Sequence, residues 1–428
     1  MAYVQGVDAV GPQRSDRRLR RLAIDITPLR ISSEYRRLWA GQTIDQTGTQ
    51  LTNVAVPVQV YDLTHSSLAV GLLGIAALVP LIVSGLVGAT LVDAMDRRRL
   101  ALLTAAGFVT AAALLFTQQV AHWHQLWLLY LVVAVQNGLM GIDSPTRRAF
   151  IPRLLPARQV PAANALSQLS SNVAMTGGPL LAGLLLATSG LGSAYLLDVV
   201  SFSGSGYALL RLRPMPPQGG GTRAGLASTL EGFRFLRGQP VVLTTFVADV
   251  VAMVFGMPRA LFPALAQHRF HGGGGTVGLL YSAIAAGALV GAISGGWLGR
   301  VRRQGLAVLG AIVVWGVAIV GFGLVSSLAA ALGLLALAGA ADFVSAVFRS
   351  TILQLAAPDA MQGRIQGVFT VVVAGGPRLG DLEAGVAAVA GGLEFAVVSG
   401  GLACLVGMAI VAARVPTFRR YRVETGPG

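Results

Sequence analysis

An all-α polytopic membrane protein, with twelve transmembrane helices in two pseudo-symmetric six-helix bundles, is the fold class the sequence predicts. Three observations carry this. Apolar residues make up 54% of the 428 and charged residues only 12%, with a mean hydropathy of +0.68. A soluble globular chain carries about 25% charged residues. Apolar runs of spanning length recur along the chain, and the arginines are confined to alternate connections. The 55 glycines point to close helix contacts, because the apolar fraction is too high for a disordered chain.

A span needs about 20 apolar residues. The candidates fall near 38–61, 67–92, 100–118, 126–146, 164–188, 193–210, 240–266, 275–299, 305–325, 328–348, 365–390 and 393–413. Taken in order, one set of connections holds Arg97 to Arg99; Arg147, Arg148, Arg153 and Arg158; Arg211, Arg213, Arg223, Arg234 and Arg237; Arg300, Arg302 and Arg303; and Arg364. The opposite loops hold only Arg269. Arginine retained on the cytoplasmic side sets orientation, so a cell-membrane protein with both termini inside is expected.

The domain plan follows: a basic cytoplasmic tail (1–37), a six-helix bundle (38–210), a cytoplasmic linker (211–239), a second six-helix bundle (240–413) and a cytoplasmic tail (414–428). The tail before the first span shows no cleavage site, so no secretory signal peptide is expected. Within the linker, the run from Pro214 to Gly221 is a hinge. Leu226, Leu230, Phe233 and Leu236 then recur at helical spacing, predicting an amphipathic surface helix over 222–237. The halves repeat: Arg147 and Pro156 recur as Arg349 and Pro358, and Gly177-Gly178-Pro179 as Gly375-Gly376-Pro377, at offsets near 200. Such internal similarity marks carriers that rock around a midplane site.

All 32 basic residues are arginine. Without lysine there is no P-loop and no Schiff-base chemistry, and with one cysteine, Cys404, no intrachain disulfide. No enzyme activity, cofactor or nucleic-acid partner is expected, because the positive charge is a topology signal. The histidines, His65, His122, His124, His268 and His271, all fall in expected external loops. They lack the added Cys or carboxylate ligands of a metal site, so no metal is expected.

The loop between the second and third spans carries Gly88, Asp93, Asp96, Arg97 and Arg98. It resembles the Gly-…-Asp-Arg-…-Arg-Arg signature of the major facilitator superfamily, with Ala94 where an arginine is usual. Gly177, Gly178, Pro179 and Gly183 resemble the fifth-span signature of that superfamily's antiporters, with Ala182 replacing a glycine. Longer strings, among them Val54-Ala-Val-Pro57-Val-Gln59 and Gly375-Gly-Pro-Arg378-Leu-Gly-Asp381, resemble the bacterial enterobactin (siderophore) exporter group. The resemblance covers roughly residues 35 to 415. It implies the facilitator fold, with a cavity lined by the first, fourth, seventh and tenth spans, and proton-coupled export.

A charge at membrane depth costs about 2.5–3.5 kcal/mol on insertion scales, so buried carboxylates need a partner or a cavity. Asp45 and Asp249 occupy repeat-equivalent spans and are the first candidates for proton or substrate work; a structural hydrogen bond is the alternative. Arg259 is expected inside the cavity facing an anionic substrate, and Asp342 to share that cavity. Arg349 is expected at the cytoplasmic rim. Arg378 and Asp381, three residues apart, are expected to neutralise each other beside Glu383, as a buried pair or a gate. Asp93 with its arginines is expected to latch one conformation. Met140, Met253, Phe255 and Met257 would suit an adaptable drug pocket, or plain packing. The expected function is proton-coupled export of a small organic molecule, a catecholate siderophore on the resemblance. The alternative is a multidrug efflux proton antiporter. Expected partners are the lipid bilayer, the small-molecule substrate and protons, with a monomer as the working unit.

Overall fold

The structure is a computed structural model that describes residues 25–216, 238–356 and 362–422. The segment 222–237, for which an amphipathic helix is expected, lies outside the described residues. Those residues are helical, with no strand among them. The long helices are α1 (Ser33–Thr64), α2 (Ser67–Ala94), α3 (Arg97–Val120), α4 (Leu126–Leu154), α5 (Val160–Thr188) and α6 (Gly190–Leu210). They continue as α7 (Pro240–His268), α8 (Gly274–Arg300), α9 (Gln304–Leu324), α10 (Leu328–Ala356) and α11 (Gln362–Arg414).

Local chemistry sets the ends. Ser32, Ser66 and Asp96 cap α1, α2 and α3 by accepting from Tyr35, Ala69 and Arg99 backbone N–H groups, satisfying donors that a helix start leaves open. His65 ends α1 in the left-handed conformation. Two departures from the expected spans stand out. The seventh span is not one continuous helix: it is α-helical over Pro240–Phe255, breaks at Gly256-Met257-Pro258, and resumes through a 3-10 turn into Phe262–His268. Proline removes a ladder donor and pushes its predecessor out of the helical region. The last two spans join without a loop, the turn being made by Gly392 at φ 86° and ψ 174°, a conformation L-residues avoid.

Nine stretches, α2 to α5 and α7 to α11, are long and apolar enough to cross a membrane among the described residues. Helix α1 falls outside that set because Gln42, Asp45, Gln46, Thr49 and Asn53 interrupt it, and these residues face a cavity. Outward faces are apolar: Ile293 is 79% exposed and Val389 68%, an arrangement that calls for lipid rather than water.

The helices pack as α1 on α5 and α6, α3 on α4 and α6, and α2 on α4; then α8 on α10, α9 on α10 and α11, and α7 on α11. Two seams join these groups, α2 against α11 and α5 against α8. In the second seam, a Cβ on Gly278 would lie 2.5 Å from both Gly183 Cα and Pro179 O, so only glycine permits the approach. The end opposite the arginine-rich loops is closed further. His268 Nε2 and Tyr61 Oη lie 2.8 Å apart, and Gln267 donates to Asp62 at 2.7 Å, tying α7 to α1.

Candidate functional site

A cavity of about 670 Å³ lies among α1, α3, α4, α5 and α6 and reaches α11. Its rim residues Arg148 and Asn164 are exposed near the arginine-rich end, and its lining runs inward to Asn53, Asn137 and Arg378. Most of the lining is uncharged and hydrogen-bonding: Gln42, Gln46 and Asn53 from α1, Gln136 from α4, Ser167 and Gln168 from α5. Phe108 and Phe202 add an apolar patch, their rings stacked at 4.9 Å between centroids and 9° between planes.

The chemistry is concentrated in one wall. Asp45 on α1 meets Arg147 on α4 at 2.9 Å, and Asp143, one turn before Arg147, meets the same guanidinium at 2.5 Å. Ser205 of α6 donates to Asp45 Oδ2 at 2.6 Å, and Thr104 of α3 to Asp143 Oδ1 at 2.8 Å. Four helices thus converge on a buried group of two carboxylates and one cation, which carries one negative charge when both acids are ionised and becomes neutral when one takes a proton. Burial on this scale requires such partners, because an isolated charge would not remain ionised there.

The repeat produces a second cluster. Arg349 on α10 pairs with Asp249 on α7, and with Asp342 on its own helix at 3.4 Å. Here the partner shell is incomplete among the described residues, where Asp249 Oδ2 and Arg349 Nε are buried without a hydrogen-bond partner. None of these three residues lines the cavity.

Several expectations are corrected by this geometry. Arg147 is no loop arginine and Arg349 no rim residue: they are 6% and 7% exposed and sit inside helices, where flanking carboxylates neutralise them. Arg378 and Asp381 do not pair. Arg378 donates to Ala374 O at 2.6 Å and to Asn137 Oδ1 at 2.7 Å, whereas Asp381 turns to Arg259 at 4.0 Å. Their helix packs on α2 and on the α7 break, and Arg378 reaches across to Asn137 of α4 whereas Asp381 turns to the break, so neighbouring residues find different partners. Arg259 does not line the cavity. The break places it in the 3-10 turn at Arg259–Leu261, with its Nε buried and unpartnered. Asp342 stays with Arg349 and is also absent from the cavity wall. Glu383 makes no hydrogen bond or ion pair among the described residues. Met140 lines the cavity, whereas Met253, Phe255 and Met257 do not.

In the loop after α2, Asp96 is a helix cap, Arg97 donates to Ala149 O at 3.1 Å, and Arg98 donates to Leu209 O and Leu210 O at 3.3 and 2.7 Å. Arg98 thereby holds the last carbonyls of α6, groups a helix end leaves open, while Arg97 reaches a carbonyl within the last two turns of α4. The side chains of Gly88 and Asp93 lie outside the described residues. In the fifth-span motif, Gly178 packs on Gln50 of α1 and Gly183 on α8, while nothing approaches Gly177.

Asp143 was legible in the sequence as the i, i+4 partner of Arg147, a spacing that places acid and base on one helix face. The amide side chains of α1 were legible as the polar stripe that weakens its hydropathy.

Long apolar helices around a polar, charge-bearing cavity that opens at one end are the architecture of a membrane transporter. The chain belongs to the family described as transmembrane secretion effector, which matches residues 23–424; it is a multi-pass membrane transporter, not an enzyme. It is 29% identical to the enterobactin exporter EntS of Citrobacter koseri over 93% of this chain and 96% of that protein. With the enterobactin exporter EntS of Shigella boydii it shares 29% over 94% and 97%. The fold matches a bacterial homologue of the lysosomal transporter Spinster with TM-score 0.70 and 16% identity, over 92% of this chain and 98% of that one. It also matches a bacterial homologue of the iron transporter ferroportin, with TM-score 0.65 and 15% identity, over 88% and 98%.

Proposed function

We propose that the protein exports a catecholate siderophore from the cytoplasm by proton-coupled alternating access. The carrying observation is the cavity of about 670 Å³, open toward the arginine-rich end and containing a carboxylate–guanidinium cluster in its wall. On the positive-inside rule that end is cytoplasmic, so the cavity is loaded from the inside. The names of the relatives supply the substrate class. The Asp45–Arg147–Asp143 group supplies the proton site: a proton taken from the far side would neutralise it and weaken its hold on α1 and α4, the helices that must move. In this reading α11 counts as two spans joined at Gly392. The chain then forms two six-helix bundles over 38–210 and 240–413, in the cytoplasmic membrane with both termini inside, and works as a monomer. Deleting the gene should trap catecholate siderophore inside iron-starved cells, and restoring it should return secretion.

One observation favours a second reading. The stacked Phe108–Phe202 pair with Met140 gives the cavity an apolar, adaptable face, as a multidrug efflux antiporter would use. Intact siderophore secretion in the deletion strain, together with sensitivity to several unrelated drugs, would establish that reading instead.

A further inference from the structure

Three arginines line the cavity, and they differ in what holds them. Arg147 is neutralised by two carboxylates. Arg148 is exposed at the rim. Arg378 lies about 24 Å along α11 from its first residue, well inside the cavity, and among the described residues its hydrogen bonds go to neutral acceptors, the Ala374 carbonyl of its own helix and the Asn137 amide oxygen of α4. Asp381, the nearest acid in sequence, is committed to Arg259. Arg378 is also the one residue from the second half of the chain among those lining the cavity.

We propose that Arg378 is the anion-binding residue of the cavity, and that the substrate carries a carboxylate or catecholate which it engages directly. The proposal rests on the export reading and narrows its substrate class. A guanidinium has five N–H donors in a planar fork. Two hydrogen bonds, each to a neutral oxygen, position it without discharging it, leaving donors for a bidentate oxyanion and a flat face for aromatic stacking. A bare cation at this depth is otherwise costly, so a ligand that supplies the missing negative charge gains from the encounter. The surrounding lining favours the same class. Asn53, Gln136 and Asn137 are hydrogen-bonding but uncharged, so they can bind hydroxyl groups without repelling an anion. Because Asn137 belongs to α4 and Arg378 to α11, an anion bound to the free donors of Arg378 sits beside the hydrogen bond that ties the two helices together.

The test measures ligand binding to the full-length protein in lipid nanodiscs at fixed salt, with three probes. These are 2,3-dihydroxybenzoate (catechol with charge), 2-naphthoate (charge without catechol) and 2,3-dihydroxybenzamide (catechol without charge). Arg378→Gln should weaken both acids about 10- to 100-fold, the loss expected when a hydrogen bond to a charged group is removed, and should leave the amide unchanged. Arg378→Lys, which keeps the charge in place of the fork, should fall between the two and serves if the Gln variant does not fold. Unchanged affinity of both variants for the acids overturns the proposal, as does a native protein that binds neither acid. If naphthoate binds through Arg378 while dihydroxybenzoate does not, the anion site stands and the catecholate reading fails.

Discussion

The two halves of the chain contain the same charges and use them differently. In the first, Asp45, Asp143 and Arg147 form a compact group in which each acid also accepts from a hydroxyl, Ser205 or Thr104, and the group borders the cavity. In the second, Asp249, Asp342 and Arg349 form an open chain. Asp342 is 34% exposed, and one oxygen of Asp249 and one nitrogen of Arg349 have no partner. The second half thus carries the same charge inventory as the first but not the same shell around it. On the proposed mechanism, the group that borders the cavity is the one that changes protonation during transport. Away from the cavity, the same charges serve to hold α7 against α10.

The largest effect that can break this comparison is loss of either arginine. Arg147→Gln leaves two buried carboxylates without a cation, and breaking such a pair costs about 3–5 kcal/mol. Arg349→Gln should cost less, because Asp342 already reaches solvent. Thermal unfolding of the two variants in one detergent gives the order directly; equal losses would mean that the two shells are equivalent. A smaller effect sharpens the comparison. Thr104→Ala removes a hydroxyl donor from the first cluster and should cost about 0.5–1.5 kcal/mol, with reduced export at an unchanged expression level. A variant with native stability and export would show that the Thr104–Asp143 hydrogen bond is dispensable to the first cluster.

Much of the architecture was legible in the sequence, because it depends on quantities that add along the chain. Apolar run length marked the membrane-crossing helices, and the repeat pointed to Asp45 and Asp249, which each pair with the arginine of their own half. The site was less legible. Spacing fixes the face of a helix on which a residue lies but not which neighbour meets that face, so Arg378 was matched with Asp381 instead of Asn137. Arg259 was misplaced because Gly256-Met257-Pro258 breaks the seventh span and turns the residues after it away from the cavity. Sequence alone puts Arg147 among the loop arginines and Arg349 at the rim, since a cation near a span end looks the same whether it faces water or a pair of buried acids. Asp143 becomes legible only once Arg147 is read as buried, because an i, i+4 acid–base pair fits a solvated helix face equally well.

The most direct test of the account compares Asp45→Asn with Asp249→Asn in proteoliposomes under an imposed proton gradient, following substrate export and proton flux together. Each change removes one titrating group while keeping its size and polarity. The account predicts that Asp45→Asn abolishes proton-driven export while substrate exchange without a gradient continues, and that Asp249→Asn retains coupled export at a rate within a few-fold of the native protein. Coupled export that survives in Asp45→Asn and is lost in Asp249→Asn would contradict it, and would move the proton site to the second half of the chain.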